Sequence, residues 1–419
     1  MEKDTCRIRP AELYDIAAQQ GFYGLERGGL TGKKDNVRKY WEDIVIKLTL
    51  RSSIEKLLTK KDEIHVVDLG CGSGEGFELL THIPVFQPLR SGKKCFILSP
   101  DQISYTGIDI SASMIQQGRK NYENQNNVQF EQADLNKGFP LMNEQPFDIY
   151  FSSYSSLSHL APDKLQVLVE EVFDHAEPGA FIVLDMLGKY SLEWPKYWNE
   201  SRTMLPYNMA YLIPPELRSK EPFQWCDVCY CTPSMLFQML DKAAKITETC
   251  IQIVQCIDRS IFVGRHMETG LFGAPCFNYR YQINRFFDRD YRGELEHLII
   301  DIDWCAELGK TQPQVWARLQ DYKEKWNCVI NLVEALLHGN DSTVSHLIET
   351  TSQDISNELK LLTWLYRNAH RFPVVDFWAS VMGPQIAVLL RNIEMSLGPA
   401  LGCGHGLLCV VEITESAKD

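Results

Sequence analysis

Three glycines at alternate positions, Gly70, Gly72 and Gly74, follow a short apolar run that ends near an acidic residue, Asp68. Glycine allows the backbone to bend sharply and to come close to a ligand. A helical pattern follows the loop, and the free N–H groups at a helix start attract flat or charged ligands. The order is G-x-G-x-G, with Glu75 where dinucleotide dehydrogenases place a third glycine. The stretch therefore predicts a ligand-binding loop between a buried strand and a helix.

Three further segments pair a predicted strand with polar residues at its end. Residues 105–110 read YTGIDI and precede SASMI, residues 128–133 precede Asp-Leu, and residues 147–151 precede SSYSSLSHL. Strands and helices alternate at these intervals, which predicts a parallel sheet with crossover helices. Loops that leave the carboxyl edge of such a sheet are where ligands bind.

The glycine loop resembles motif I of the class I S-adenosylmethionine-dependent methyltransferases, and the three later segments resemble further motifs of that family in the same order. The resemblance implies an α/β fold with a seven-stranded Rossmann-like sheet, in which the seventh strand, 407–413, lies antiparallel between the fifth and the sixth. It also implies S-adenosylmethionine as the cofactor and S-adenosylhomocysteine as the product.

The resemblance gives roles to individual residues. Asp109 would accept hydrogen bonds from the ribose hydroxyls, as acidic residues at strand ends do in dinucleotide folds. Asp134 would accept one from the adenine amino group, the backbone amide of Leu135 would meet a ring nitrogen, and Met114 would line the adenosine pocket. The full predicted cofactor set is Arg38, Tyr40, Asp68, Gly70, Cys71, Gly72, Gly74, Asp109, Ile110, Met114, Asp134, Leu135 and Ser152.

Candidates for catalysis follow the fourth strand and the sixth. In the transfer of a methyl group from a sulfonium, the protein mainly aligns the acceptor and excludes water. A hydroxyl or protonated amine must lose a proton, whereas a carboxylate need not. His159 and His266 are the candidate bases, and Tyr154 is a candidate for orienting the acceptor. A lone histidine is more often a capping or packing residue, which is the alternative for both.

The fourth motif also bears on the acceptor. Family members that methylate nucleobase amino groups or side-chain amides usually carry Asn/Asp-Pro-Pro-Tyr/Phe here, and this chain has Phe-Ser-Ser-Tyr. The sequence therefore predicts methyl transfer to O or N of a small molecule, in specialised metabolism. Two alternatives are a protein or peptide methyltransferase, with a helical insert as docking surface, and a non-catalytic cofactor-binding scaffold.

The elements that must position these residues divide the chain into six predicted parts. They are an N-terminal helical lid (1–60), the cofactor-binding core (61–190), an aromatic-rich substrate insert (191–244), the sixth strand with its exit loop (245–280), an α-helical accessory insert (281–400) and the final strand (401–419). Helical periodicity from about 291 to 396 supports the accessory insert.

Two of these parts have an alternative reading. The lid would bring Arg38 or Tyr40 to the cofactor, but Tyr40 and Trp41 also fit plain core packing. The aromatic insert would be a substrate wall or a small satellite core. Its rings are Trp194, Trp198, Tyr207, Tyr211, Trp225 and Tyr230.

Charge and hydropathy limit the classes of partner that we expect for this chain. A formal charge of −13 and the lack of a dense basic stripe disfavour nucleic acid. No apolar run approaches the ~18 residues of a membrane span, and the N-terminus lacks a signal-peptide core. We therefore expect a cytoplasmic monomer or homodimer that uses a small-molecule acceptor, with neither nucleic acid nor membrane as a partner, and with reduced cysteines.

A zinc site is the weaker interpretation of one cysteine cluster. Cys226, Cys229 and Cys231, with Cys403 and His405, contain several possible ligands. C-x-x-C-x-C without a second close pair is a weak pattern, because structural zinc needs four well-placed ligands. We predict no bound metal.

Overall fold

The computed structural model describes residues 7–23, 34–85, 95–214, 218 and 224–415. Seven strands form the central sheet in the order β3-β2-β1-β4-β5-β9-β8. Their bounds are β1 Ile64–Leu69, β2 Ile103–Asp109, β3 Val128–Gln132, β4 Ile149–Phe151, β5 Phe181–Gly188, β8 Cys250–Arg259 and β9 Gly406–Thr414. The first five are parallel, while β9 is antiparallel to both β5 and β8. The predicted fold class is confirmed.

Successive strand residues point to opposite faces, so each face of the sheet has its own core. Val66 packs on one face with α2, α3 and the helices that precede β9, and Val67 packs on the other with α5 and α6. The helix bounds on the two faces are α2 Asp43–Leu58, α3 Glu75–Thr81, α4 Ala112–Asn121, α5 Pro162–His175 and α6 Pro233–Ile246.

The insertion between β8 and β9 is helical. It contains α7 Tyr279–Arg285, α8 Ala306–Thr311, α9 Pro313–Leu337, α10 Asp341–Thr350, α11 Gln353–Arg367 and α12 Gly383–Ser396. Side chains of α9 and α12, such as Trp326 and Leu390, share one apolar core with the sheet. The insert is therefore a layer of the same core. At the start of the range 291–396, where helical periodicity was expected, Leu295–Leu298 and Asp303–Cys305 form short 3₁₀ turns instead of an α-helix.

Two differences concern residues 191–244. A hairpin that the sequence did not predict, β6 Met204–Tyr207 and β7 Cys226–Cys231, extends from the end of β5 through Gly188 and Cys231. The range also includes α6, which is the crossover helix before β8. The true addition to the core is therefore shorter than predicted.

At the N-terminus, α1 Pro10–Gln19 packs against α4, and a π-helical turn, Arg38–Glu42, leads into α2. Residues 24–33, in the predicted lid, and residues 86–94, in the predicted cofactor-binding core, lie outside the described residues. Within the described ranges, no helix combines the length and apolarity needed to cross a membrane.

Candidate functional site

A cavity of about 330 Å³ lies at the carboxyl ends of β1 to β4, beneath α1. Small-molecule sites generally occupy about 300–1,000 Å³. The nine predicted residues that line it are Gly70, Cys71, Gly72, Asp109, Ile110, Asp134, Leu135, Tyr154 and His159. Because they come from four separate loops, the sheet topology is what brings them together.

The glycine loop forms the floor of this cavity. Gly72 has φ +56°, which favours glycine, and open space where a Cβ would stand. Gly70 has φ +78°, and an added Cβ would lie 2.6 Å from Cβ of Ser156 in the loop after β4. The amides of Gly70 and Cys71 donate to the carbonyl of Ile108 at 2.8 and 2.9 Å. The loop is thus fixed with its open side toward the cavity.

Asp109 joins the loops after β1 and β2. Its Oδ2 accepts from the amide of Gly72 at 2.9 Å, and its Oδ1 accepts from the amide of Ser111 at 2.8 Å. The amides hold the carboxylate at the cavity wall, as the predicted ribose contact requires.

Asp134 and Leu135 lie at the far end of the cavity, after β3. Asp134 caps a 3₁₀ turn, Leu135–Lys137, and its Oδ1 accepts from the amide and the side chain of Asn136 at 3.0 and 2.9 Å. Ile110 lines the same region. This end presents one carboxylate and two apolar side chains, which suits a flat heterocycle.

The first helix covers the opposite side. Tyr14 shares a hydrogen bond with His159, with 2.8 Å between Oη and Nε2, and Ser111 donates to Asp15 at 2.5 Å. Arg9 and Ala11 also line the cavity. Helix α1 is therefore attached at two points, one of them next to the loop after β4.

The loop after β4 has a strained backbone at the end of the cavity. Tyr154 and Ser155 both adopt left-handed φ, at +54° and +61°. Such residues cost about 1–3 kcal/mol each and cluster at functional sites. Asp185 on β5 holds the turn by accepting from the amide of Tyr154 at 2.7 Å. The turn places the Tyr154 ring 3.1 Å from the Arg38 guanidinium and 5.0 Å from that of Arg259.

Beyond this turn the cavity continues into a smaller inner chamber of about 40 Å³. Tyr14, Tyr23, Tyr154 and His159 line both spaces. The other residues of the inner chamber are Arg38, Ser155, Leu187, Tyr207, Tyr211, Arg259, Arg265 and His405. The two spaces therefore meet at Tyr154 and His159.

Comparison with known proteins agrees with this geometry. Residues 60–226 match a family model described as a methyltransferase domain. These residues therefore form a methyltransferase domain. No curated protein sequence matches the chain significantly.

Several solved structures of methyltransferases resemble this chain. One, an S-adenosylmethionine-dependent methyltransferase from Clostridium acetobutylicum, is 14% identical, with a TM-score of 0.34 over 52% of this chain and 83% of its own. The CcbJ methyltransferase from Streptomyces caelestis is 14% identical, with a TM-score of 0.37 over 59% and 88%. The glycopeptide N-methyltransferase MtfA is 16% identical, with a TM-score of 0.32 over 50% and 79%.

Ionisation in the methyltransferase site follows from burial. Burial lowers the pKa of His159 to about 4, so the imidazole is neutral at pH 7. Its Nδ1 has no hydrogen-bond partner among the described residues. Burial also raises the pKa of Tyr14 and Tyr154, which keeps both hydroxyls protonated.

Three predicted cofactor residues support the methyltransferase loops without lining the cavity. Asp68 is buried behind the glycine loop, where Tyr105 donates to its Oδ2 at 2.5 Å, and burial raises its pKa to about 7. The φ of Gly74 is +90°, and its Cβ position is closed by Phe130 at 2.6 Å. Ser152 is fully buried and donates its amide to Val183.

Three further predictions are not supported by position. Tyr40 is 48% exposed and stacks on Phe287, with 4.6 Å between ring centres, because the π-helical turn points it outward. Met114 is buried under α1 in the apolar cluster that contains Leu13. His266 lies outside both spaces, within 5.1 Å of the Tyr207 and Tyr211 rings, and burial lowers its pKa to about 3.

Other predicted residues divide between the site and the core. Arg38 lines the inner chamber and pairs with Asp43 and Glu75 at 2.9 and 2.8 Å. Trp41 is a core anchor, whose Nε1 donates to Glu394 at 2.9 Å. Of the aromatic insert, Tyr207 and Tyr211 line the chamber, whereas Trp194, Trp198 and Tyr230 are buried in cores. Pro215 lies outside the described residues.

The sequence analysis missed Tyr14, Glu75 and Arg259 as cavity or chamber residues. In the sequence, Tyr14 fits an apolar helix face, and Glu75 is notable only because it replaces the third glycine of a dinucleotide-binding motif. An arginine two residues before the apolar run Ile261–Val263 was the available signal for Arg259, since arginine is rarely buried without a partner.

The cysteine cluster does not form a ligand set in the described part of the chain. There, ligand atoms of three or more residues come close enough for a metal ion only at Glu294, Glu296 and His297, which are exposed. The side chain of Cys226 is on the opposite face of β7 from those of Cys229 and Cys231. Cys403 donates to Asp258 at 3.2 Å instead.

Proposed function

We propose that this methyltransferase moves a methyl group to an oxygen or nitrogen atom of a small-molecule acceptor. The observation that carries the proposal is the junction of the two spaces at Tyr154 and His159. The larger space has the features of a cofactor site, and the smaller one lies next to it behind a strained turn. An acceptor group in the inner chamber would adjoin the cofactor without crossing bulk solvent.

The residues present fit S-adenosylmethionine. The open Cβ position at Gly72 leaves room for a ligand close to the backbone, and Asp109, held at the cavity wall, would accept hydrogen bonds from the ribose hydroxyls. Asp134 and the amide of Leu135 would hold the adenine. Arg38 or Glu75, which form a 2.8 Å ion pair near the glycine loop, would hold the charged methionine end. When bound, this cofactor supplies an activated methyl group.

The chain's own contribution is then alignment and exclusion of water. Helix α1 covers the cavity through its contacts with His159 and Ser111. Tyr154, which lines both spaces, is fixed at its amide by Asp185 and at its hydroxyl by Asp43. His159, with its lowered pKa, is a weak proton acceptor.

A small acceptor is supported by the size and enclosure of the inner chamber. The experiment is to incubate the protein with methyl-labelled S-adenosylmethionine and a deproteinised extract of small molecules. We expect label in low-mass products, and none with Asp109→Ala. Label found only when proteins or peptides are added would favour the peptide alternative. Binding of S-adenosylhomocysteine without any transfer would favour the scaffold alternative.

A further inference from the structure

The described residues that line the inner chamber include no carboxylate. They include three arginines, Arg38, Arg259 and Arg265, together with tyrosine hydroxyls and His405. Arginine side chains carry only donors, so this surface is rich in groups that donate hydrogen bonds. A ligand that fits it must offer acceptors.

Carboxylates pair with two of these arginines and with the histidine. Asp185 pairs with Arg259 at 2.8 Å, Glu42 with Arg265 at 3.1 Å, and Glu193 with His405 at 2.7 Å. The acidic groups compensate the buried charge and fix each side chain. The donors facing the chamber are therefore positioned before any ligand arrives, which lowers the cost of binding.

Arg259 has donors left over. Its side chain is fully buried, and neither Nε nor Nη1 has a hydrogen-bond partner among the described residues. Nη1 lies 3.8 Å from Oε1 of Glu42, which is beyond hydrogen-bond distance. The hydroxyl of Ser155, which also lines the chamber, lacks a partner within the same described part of the chain. Buried donors without partners are costly, so they indicate a ligand that accepts from them.

The tyrosines add neutral donors to this surface. Burial raises the pKa of Tyr207 and Tyr211, so both stay protonated at neutral pH. A volume of about 40 Å³ exceeds the roughly 10–15 Å³ that one water molecule needs by the same measure. The chamber therefore has room for a small acceptor-rich group.

We propose that the methyl acceptor is a carboxylic acid whose carboxylate group enters the inner chamber and is bound by Arg259 and Arg265. This inference rests on the proposed function and narrows its substrate class. Arg38, which reaches Glu75 beside the glycine loop, is left for the cofactor. The carboxylate fits because it is small, carries only acceptors in its ionised form, and forms strong hydrogen bonds with arginine.

Acetate is a probe of the right size, and its binding can be measured without turnover. The melting temperature of protein saturated with S-adenosylhomocysteine is measured in sodium acetate, in sodium chloride of equal ionic strength, and in acetamide. We expect acetate alone to raise the melting temperature. Arg259→Gln and Arg265→Gln should each lower the affinity for acetate by at least about tenfold. The affinity for S-adenosylhomocysteine should stay within about threefold of wild type.

Arg367→Gln is the matched control, because this arginine is exposed on α11 and pairs with Asp341 at the surface. Arg259→Lys keeps the charge and replaces Arg259→Gln in the acetate experiment if circular dichroism shows that Arg259→Gln does not fold. An acetate effect equal to that of chloride, or stronger protection by phosphate, would overturn the proposal. So would a tenfold loss of S-adenosylhomocysteine affinity in Arg259→Gln, because the arginine would then serve the cofactor. If the wild type binds no S-adenosylhomocysteine, the proposed function itself fails.

Discussion

Tyr14 on α1 and His159 after β4 share a hydrogen bond, with 2.8 Å between Oη and Nε2, although 145 residues separate them in the chain. The two rings also meet edge to face, with 5.2 Å between their centres. This contact attaches the first helix to the strained turn at the junction of the two spaces. It therefore links the cover of the cavity to the proposed place of methyl transfer.

Tyr14→Phe removes this hydrogen bond and keeps the ring. A neutral hydrogen bond contributes about 0.5–1.5 kcal/mol, so S-adenosylhomocysteine affinity should fall about two- to tenfold. Amide exchange in residues 10–19 should become faster, because the helix loses one of its two attachments. Calorimetry and hydrogen exchange measure the two effects. Unchanged exchange in α1 would show that the contact does not hold the helix in place.

Gly72→Ala tests the open side of the glycine loop. The left-handed φ of +56° makes alanine costly by about 1–2 kcal/mol, and the new methyl group points into open space at the cavity. Gly179→Ala is the matched control, since Gly179 has φ +98° and equally open surroundings between α5 and β5. Both variants should lose similar stability in urea denaturation. Only Gly72→Ala should lose S-adenosylhomocysteine affinity, by at least about tenfold.

Arg38→Met tests the buried ion pairs beside Tyr154. The guanidinium pairs with Asp43 and Glu75, and both carboxylates would lose their buried cation. Breaking such pairs costs about 3–5 kcal/mol, which urea denaturation without ligand would detect. Arg367→Met, at an exposed pair, should cost less than about 1 kcal/mol. Equal losses in the two variants would mean that Arg38 has no special structural role.

The buried His266 predicts a stability loss in acid. Burial lowers its folded pKa to about 3 from an ordinary value of 6.5, so between these values the unfolded chain binds the proton and the folded chain does not. The contribution to stability is therefore lost as pH falls from about 6.5 toward 3. Urea denaturation at pH 7.5 and pH 5 should show a smaller drop for His266→Gln than for wild type. His370→Gln, at an exposed position, should behave like wild type.

Much of the fold could be predicted from local patterns. The parallel part of the sheet could be predicted from three features. They are the glycine loop, the acidic residue at the end of β2, and the alternation of strands and helices. The helical insert followed from the periodicity of residues 291–396, and the antiparallel place of β9 followed from the family resemblance. The hairpin of β6 and β7 could not be predicted, because Met204–Tyr207 is short and contains a proline.

The candidate site divides in the same way. Asp109 is the last residue of β2 and Asp134 comes two residues after β3, so strand order alone brings them to the cavity. The inner chamber combines Arg38, Tyr154, Tyr211 and Arg259 from four distant segments, and only tertiary packing places them together. Tyr40 was mispredicted because its side of the helix depends on a π-helical turn that helical periodicity does not reveal.

The most direct test of the account is S-adenosylhomocysteine binding by calorimetry, with wild type compared to Asp109→Ala. Asp101→Ala, at an exposed carboxylate before β2, is the matched control. The account predicts binding by wild type and by the control, and at least about tenfold weaker binding when Asp109 is lost, since its hydrogen bonds to a ligand are charge-assisted. Equal binding by all three proteins would contradict the assigned role of Asp109, and no binding by wild type would contradict the cofactor site itself.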